Sequence, residues 1–204
     1  MSNSRNFSRT AASRGIAALA TVSSATLAMG LFVAPDRVAD SLLIAAYAVL
    51  SVFLGGLVFL AFHYVSGARW SHLVTNVYAA LAENLWLGGL AMLAVVAFRR
   101  EAHAWLPPEG AHVGTFWFKA AWLDSTFLVV RSAIYVGLWS LLAATMVRNL
   151  RSGSMYAQHR NRALAAIALL IIATTFSLAV CDWFMALEPM WFSTVWGAYH
   201  FTGL

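Results

Sequence analysis

The chain has 204 residues, 61% of them apolar and only 10% charged, with a mean hydropathy of +0.73. Water-soluble domains carry about 25% charged residues and cannot hide this many large side chains in one core. With 9 Trp, 6 Tyr and 13 Phe, disorder and fibrous repeats are excluded as well. The composition defines an integral membrane protein. Cys181 is the single cysteine, so the chain by itself offers neither a disulfide, a Cys-rich zinc site nor the thiolates of an iron–sulfur cluster. The net charge of +5 comes from basic residues scattered between apolar runs, a topology pattern rather than a nucleic-acid footprint.

A spanning helix needs about 20 apolar residues to cross about 30 Å of hydrocarbon. Taken in chain order, a cytoplasmic tail over 1–15 precedes five runs that meet this length or nearly do, at 16–34, 39–65, 76–98, 118–147 and 163–187. Arg5, Arg9 and Arg14 before the first run also fit a secretory signal peptide, but its small residues offer no clear cleavage point, so a retained helix is preferred. A sixth element begins near Trp191 and reaches roughly 21 Å by Leu204 at the helical rise, too short to cross. The pattern predicts an all-α polytopic bundle of five full transmembrane helices and an incomplete sixth over 16–204, as though the chain were the first half of something larger. Basic residues orient it. With the N terminus inside, the inner segments hold Arg5, Arg9, Arg14, Arg69, Arg148, Arg151, Arg160 and Arg162, against Arg37, Arg99, Arg100 and Lys119 outside. The positive-inside rule therefore predicts a cytoplasmic N terminus.

Ionisable groups within such helices are costly and tend to face protein or water. Asp182 falls about five residues from the outer end of the fifth run, Glu188 just past it, and Asp124 about six residues into the fourth. Arg131, seven positions after Asp124, lies on nearly the same face. These four are expected to form an acidic cluster at the outer surface with an arginine beneath it. As graded carboxylates they would pass protons; as a buried Asp124–Arg131 pair they would only lock helices. Residue types alone leave both open. Glu83 stands apart in the third run as a further proton-path or quinone-side candidate, with a hydrogen bond to Asn84 or nearby backbone as its structural reading. His63 and His200 invite haem, but their depths do not match, and His72, His103, His112 and His159 lie in connections. His200 is kept as a quinone or proton ligand. Gly55-Gly56 and Gly88-Gly89 read as close helix packing, and most of the Trp and Tyr residues as an interfacial belt.

One run is unusually specific: Cys181-Asp182-Trp183-Phe184-Met185-Ala186-Leu187-Glu188-Pro189-Met190-Trp191-Phe192-Ser193-Thr194, followed by Gly197, Tyr199 and Gly203. It resembles the second NrfD-like membrane subunit, the ActF type, of alternative complex III, a quinol:cytochrome c oxidoreductase. Two further stretches resemble the same family: Leu54-Gly55 with Gly67-Ala68-Arg69-Trp70-Ser71, and Lys119 with Trp122-Leu123, Arg131, Tyr135 and Trp139. The likeness covers roughly 40–204. After Trp70-Ser71 the family has a basic pair and a nearby acid, where this chain has His72 to Tyr78 and a displaced Glu83. The family subunit is about twice this length.

The resemblance implies a multi-pass subunit of the bacterial inner membrane, acting in proton transfer and quinone contact rather than electron transfer. It implies no cofactor held by this chain alone beyond a quinone or quinol, with haem and iron–sulfur clusters on partners. Those partners would be an iron–sulfur/molybdopterin-like subunit, a sister NrfD-like subunit and cytochrome c subunits, in membrane lipid and without nucleic acid. On matching positions it implies Asp182 as the proton-path or quinone-side group, with Trp183 and Glu188 beside it and Arg131 as charge partner. A helix scaffold docking redox subunits, and a secondary transporter, are the rival classes.

Overall fold

The computed structural model describes residues 2–67, 73–99, 121–188, 191 and 193–204, with side chains from residue 14 onward. Every regular element among these residues is helical. They are α1 (Ser2–Val33), α2 (Pro35–Ser66), α3 (Thr75–Glu83), α4 (Leu85–Phe98), α5 (Ser125–Arg151), α6 (Met155–Trp183), a 3-10 turn (Met185–Leu187) and α7 (Trp196–Thr202). Five spans are long and apolar enough to cross a membrane: Arg14–Val33, Pro35–Ser66, Thr75–Phe98, Ser125–Arg151 and Met155–Leu187. The protein is thus an all-α polytopic membrane bundle.

The chain forms two compact units, 1–42 and 43–204. The first contains α1, whose helix runs back to Ser2 through the stretch expected to be a tail. Ala34 separates it from α2, where Pro35 takes the first helical position that its fixed φ and missing N–H suit. Large apolar side chains of α1 such as Ile16, Met29 and Phe32 are exposed, as lipid contact requires.

The second unit holds the core. In α2, Leu43, Leu50, Leu54, Leu57 and Tyr64 are buried, a spacing of sevens, fours and threes that keeps one seam turned inward. Leu128, Tyr135, Trp139, Ala143 and Met146 of α5 join Ala165, Ile172, Phe176 and Trp183 of α6 in the same cluster. The glycine pairs act as predicted. A Cβ on Gly88 would come within 2.9 Å of the Leu50 Cα, and one on Gly89 would overlap Val136 Cγ1. Gly56 faces Leu81 and the Ala82 backbone in the same way. Small residues here let α2, α3, α4 and α5 approach at backbone distance.

Further boundaries differ from those expected. The third run breaks at Asn84, whose Nδ2 donates to the Ala80 carbonyl at 2.8 Å. The ladder then shifts to an i+3 bond from Leu87 N to Asn84 O, an interruption by an amide that competes with the helix. The fourth helix begins at Ser125, not 118; residues 118–120 lie outside the described set. The fifth begins at Met155, two turns before the apolar run, and the connection reduces to Ser152-Gly153-Ser154. Gly153 has φ +65°, a left-handed value that glycine adopts without penalty. Finally, α6 stops at Trp183 and a 3-10 turn replaces its expected last residues.

Candidate functional site

The site grows from one buried ion pair. Arg131 sits two turns into α5 and is 6% exposed; Asp182, at the end of α6, is 1% exposed. Arg131 Nε donates to Asp182 Oδ2 at 2.9 Å and the NH2 group lies 2.8 Å from Oδ1. The third guanidinium nitrogen, NH1, donates to the Trp122 carbonyl at 3.0 Å. The Trp122 indole Nε1 donates to Asp182 Oδ1 at 2.8 Å, and the guanidinium carbon stands 4.1 Å from the Trp122 ring centroid and 4.6 Å from that of Phe127. A helical side chain leans toward the N-terminal end of its helix. That lean carries the Arg131 head back to the carboxylate and the segment before α5.

An aromatic layer lies beneath. Trp183 Nε1 donates to Ser132 Oγ at 2.9 Å, and Trp139 Nε1 to Thr175 Oγ1 at 2.8 Å. Trp139 stacks on Tyr135 and meets Trp183 edge to face. Above the pair, Leu123 and Ala186 are buried against each other with Trp122 packed on them. Both groups are almost inaccessible to solvent, so the pair interacts at low dielectric; Nε and NH1 have acceptors, while NH2 is held to Oδ1 by charge without hydrogen-bond geometry.

The expected four-membered cluster does not form. Asp124 is exposed and caps α5, accepting from Phe127 N at 2.9 Å. Its φ of −57° and ψ of 132° place it before the helix, not six residues inside; an N-cap carboxylate there satisfies an otherwise orphan N–H. The interhelical lock is Arg131–Asp182, not Asp124–Arg131. Glu188 is exposed beyond the 3-10 turn and takes no part in the pair. Glu83 meets Arg151 instead of Asn84 or backbone: both carboxylate oxygens accept from the guanidinium, Oε1 from NH1 at 2.7 Å.

His200 belongs to a second place in the bundle. Its Nδ1 lies 2.6 Å from the Tyr47 hydroxyl of α2. The imidazole stacks on Phe184, and Trp196 stands edge-on 4.4 Å away. A cavity of about 380 Å³ opens beside it, lined by Tyr47, Ser51, Tyr199, His200 and Thr202 among others. His200 Nε2, and Trp196 Nε1 in the neighbouring ring, are buried without a hydrogen-bond partner among the described residues. Where the tyrosine hydroxyl donates to Nδ1, Nε2 carries the ring proton as a donor; where Nδ1–H donates to the hydroxyl, Nε2 is an acceptor. His63, buried against Tyr64, lies 16 positions further along α2 than Tyr47, roughly 24 Å at the helical rise, so the two histidines cannot face one haem. His159 is exposed on α6. His72, His103, His112, Arg69, Trp70 and Lys119 lie outside the described residues.

One buried polar knot was not anticipated. Asn149 Nδ2 donates to Asn161 Oδ1 at 2.8 Å, and Asn161 Nδ2 to the Met146 carbonyl at 2.8 Å. Asn161 is fully buried. The two amides flank Gly153 at the α5–α6 turn, in a basic connection where polar residues carry no signal of burial.

The geometry defines a class: a multi-pass helical membrane protein with a buried guanidinium–carboxylate lock at one end of its bundle and an aromatic histidine cleft beside it. No family model matches the chain, and no curated protein is significantly similar to it.

Proposed function

We propose that the chain is a subunit of a quinol-oxidising respiratory complex of the alternative complex III type, in a bacterial inner membrane with its N terminus in the cytoplasm. The observation that supports this is spatial. Trp122, Arg131, Tyr135 and Trp139, from one stretch that carries the family likeness, meet Asp182 and Trp183 from another in one connected cluster. In this reading haem and iron–sulfur clusters belong to partner subunits.

The two sites divide the work. Asp182 has both oxygens occupied by N–H donors, so taking up a proton would cost it the arginine; it holds helices together. The Tyr47–His200 pair is the proton-side and quinone-side group, because an imidazole bonded to a phenol at one nitrogen keeps the other for exchange. The saturated Asp182 also favours a second reading, a scaffold that only docks redox subunits.

The test is purification from membranes followed by quinol-dependent proton release from the assembled complex. Copurification with haem- and cluster-bearing subunits, and slowed proton release in the His200→Gln complex, are expected. Wild-type release in that variant would leave the scaffold, and a Soret band from the isolated chain would overturn the division of labour.

A further inference from the structure

A cleft of about 430 Å³ lies between the α3–α4 break and α5, lined by Glu83, Trp86, Ser140, Ala144, Arg148 and Arg151 among others. Its α5 wall is one stripe, since positions 140, 144, 148 and 151 recur every three or four residues. The stripe is graded. Arg148 and Arg151 lie in the last turn of a span that ends at Arg151, the level of lipid headgroups. Ala144 and Ser140 sit about one and two turns deeper than Arg148, on the cleft wall shared with Trp86, toward the level of acyl chains.

Charge is unbalanced in the same direction. Glu83 neutralises Arg151, with which it forms a two-pronged pair. Arg148 has no carboxylate partner among the described residues, which leaves the cleft mouth with one uncompensated positive charge. The Glu83 pair also fixes the Arg151 fork in place while leaving it substantially exposed. Basic pockets between spanning helices are places where anionic headgroups bind, and a guanidinium matches phosphate geometry.

We propose that this cleft binds an anionic phospholipid, with its phosphate between Arg148 and Arg151 and an acyl chain along Ala144 and Trp86. The inference rests on the membrane-spanning fold and not on the respiratory assignment. The competing explanation is that both arginines serve only the C-terminal dipole of α5, which predicts no choice between lipids.

The protein is reconstituted into nanodiscs of equal parts phosphatidylcholine and phosphatidylglycerol, released into mild detergent, and its retained lipid identified by native mass spectrometry. Retention of phosphatidylglycerol over phosphatidylcholine is expected. Arg148→Gln should lower that preference about fivefold, the equivalent of about 1 kcal/mol for one basic residue at an anionic surface. Glu83→Gln should raise it by unmasking Arg151, a gain that misfolding would not produce. Equal retention of the two lipids, an unchanged preference in Arg148→Gln, or an acidic polypeptide occupying the cleft in place of lipid would overturn the proposal.

Discussion

Arg131 and Asp182 meet in a side-on fork, Nε to Oδ2 at 2.9 Å and NH2 to Oδ1 at 2.8 Å, across 51 positions of sequence. Both are almost fully buried, so neither charge has water to fall back on. Replacing Asp182 by Asn leaves the guanidinium with a neutral partner. The expected loss is roughly 3–5 kcal/mol of stability, the range for breaking one side of a buried pair. The double variant Arg131→Met, Asp182→Leu should lose less than the sum of the single changes. Unfolding in detergent micelles measures both; strict additivity would mean that the pair is not coupled.

Asp124 should behave quite differently despite being the same residue type. As an exposed N-cap, its replacement by Ala should cost about 1 kcal/mol. Under the proposed function, quinol-dependent proton release in the assembled complex should be unchanged. A loss as large as that of Asp182→Asn would return Asp124 to the cluster from which the structure removes it.

The Asn149–Asn161 knot gives a third expectation. Asn161→Ala strands the Asn149 amide in a buried place and removes the second bond to the Met146 carbonyl, which keeps its helical partner, at a cost of about 1–3 kcal/mol. Hydrogen exchange should show the α5–α6 turn opening more often, with little change at the Arg131–Asp182 end.

Glycines separate by environment. Gly89→Leu must displace Val136 and should destabilise the bundle by about 1–3 kcal/mol, the usual penalty of overpacking. Gly137→Ala meets nothing within 4 Å and should be neutral or stabilise α5 by up to about 1 kcal/mol, the difference in helix propensity. The same unfolding assay ranks the two; equal effects would argue against close packing of α4 on α5.

Much of the site was visible in the sequence as an inventory. Asp182, Arg131 and Trp183 stand out because charged and indole groups are expensive among apolar neighbours. What could not be read was pairing. Asp124 and Arg131 share a helix face on paper, yet the helix starts one residue after Asp124, and the Arg131 side chain leans toward α6. Glu83 was expected to stay local, but the break at Asn84 leaves it facing a helix end 68 positions away. Tyr47 escaped notice altogether, since a tyrosine in an apolar run looks interfacial until His200 is seen beside it.

The sequence by itself determined the membrane class, the number of long apolar helices and the close-packing role of the glycine pairs. Those properties are local: hydropathy over about 20 residues and the absence of a side chain are present before any folding. The tertiary structure alone decided which carboxylate the buried arginine holds, which acid merely caps a helix, and that His200 reaches Tyr47. Depth along a helix can be counted from residue numbers, whereas rotation about its axis and the point where it ends are set by the neighbours packed against it.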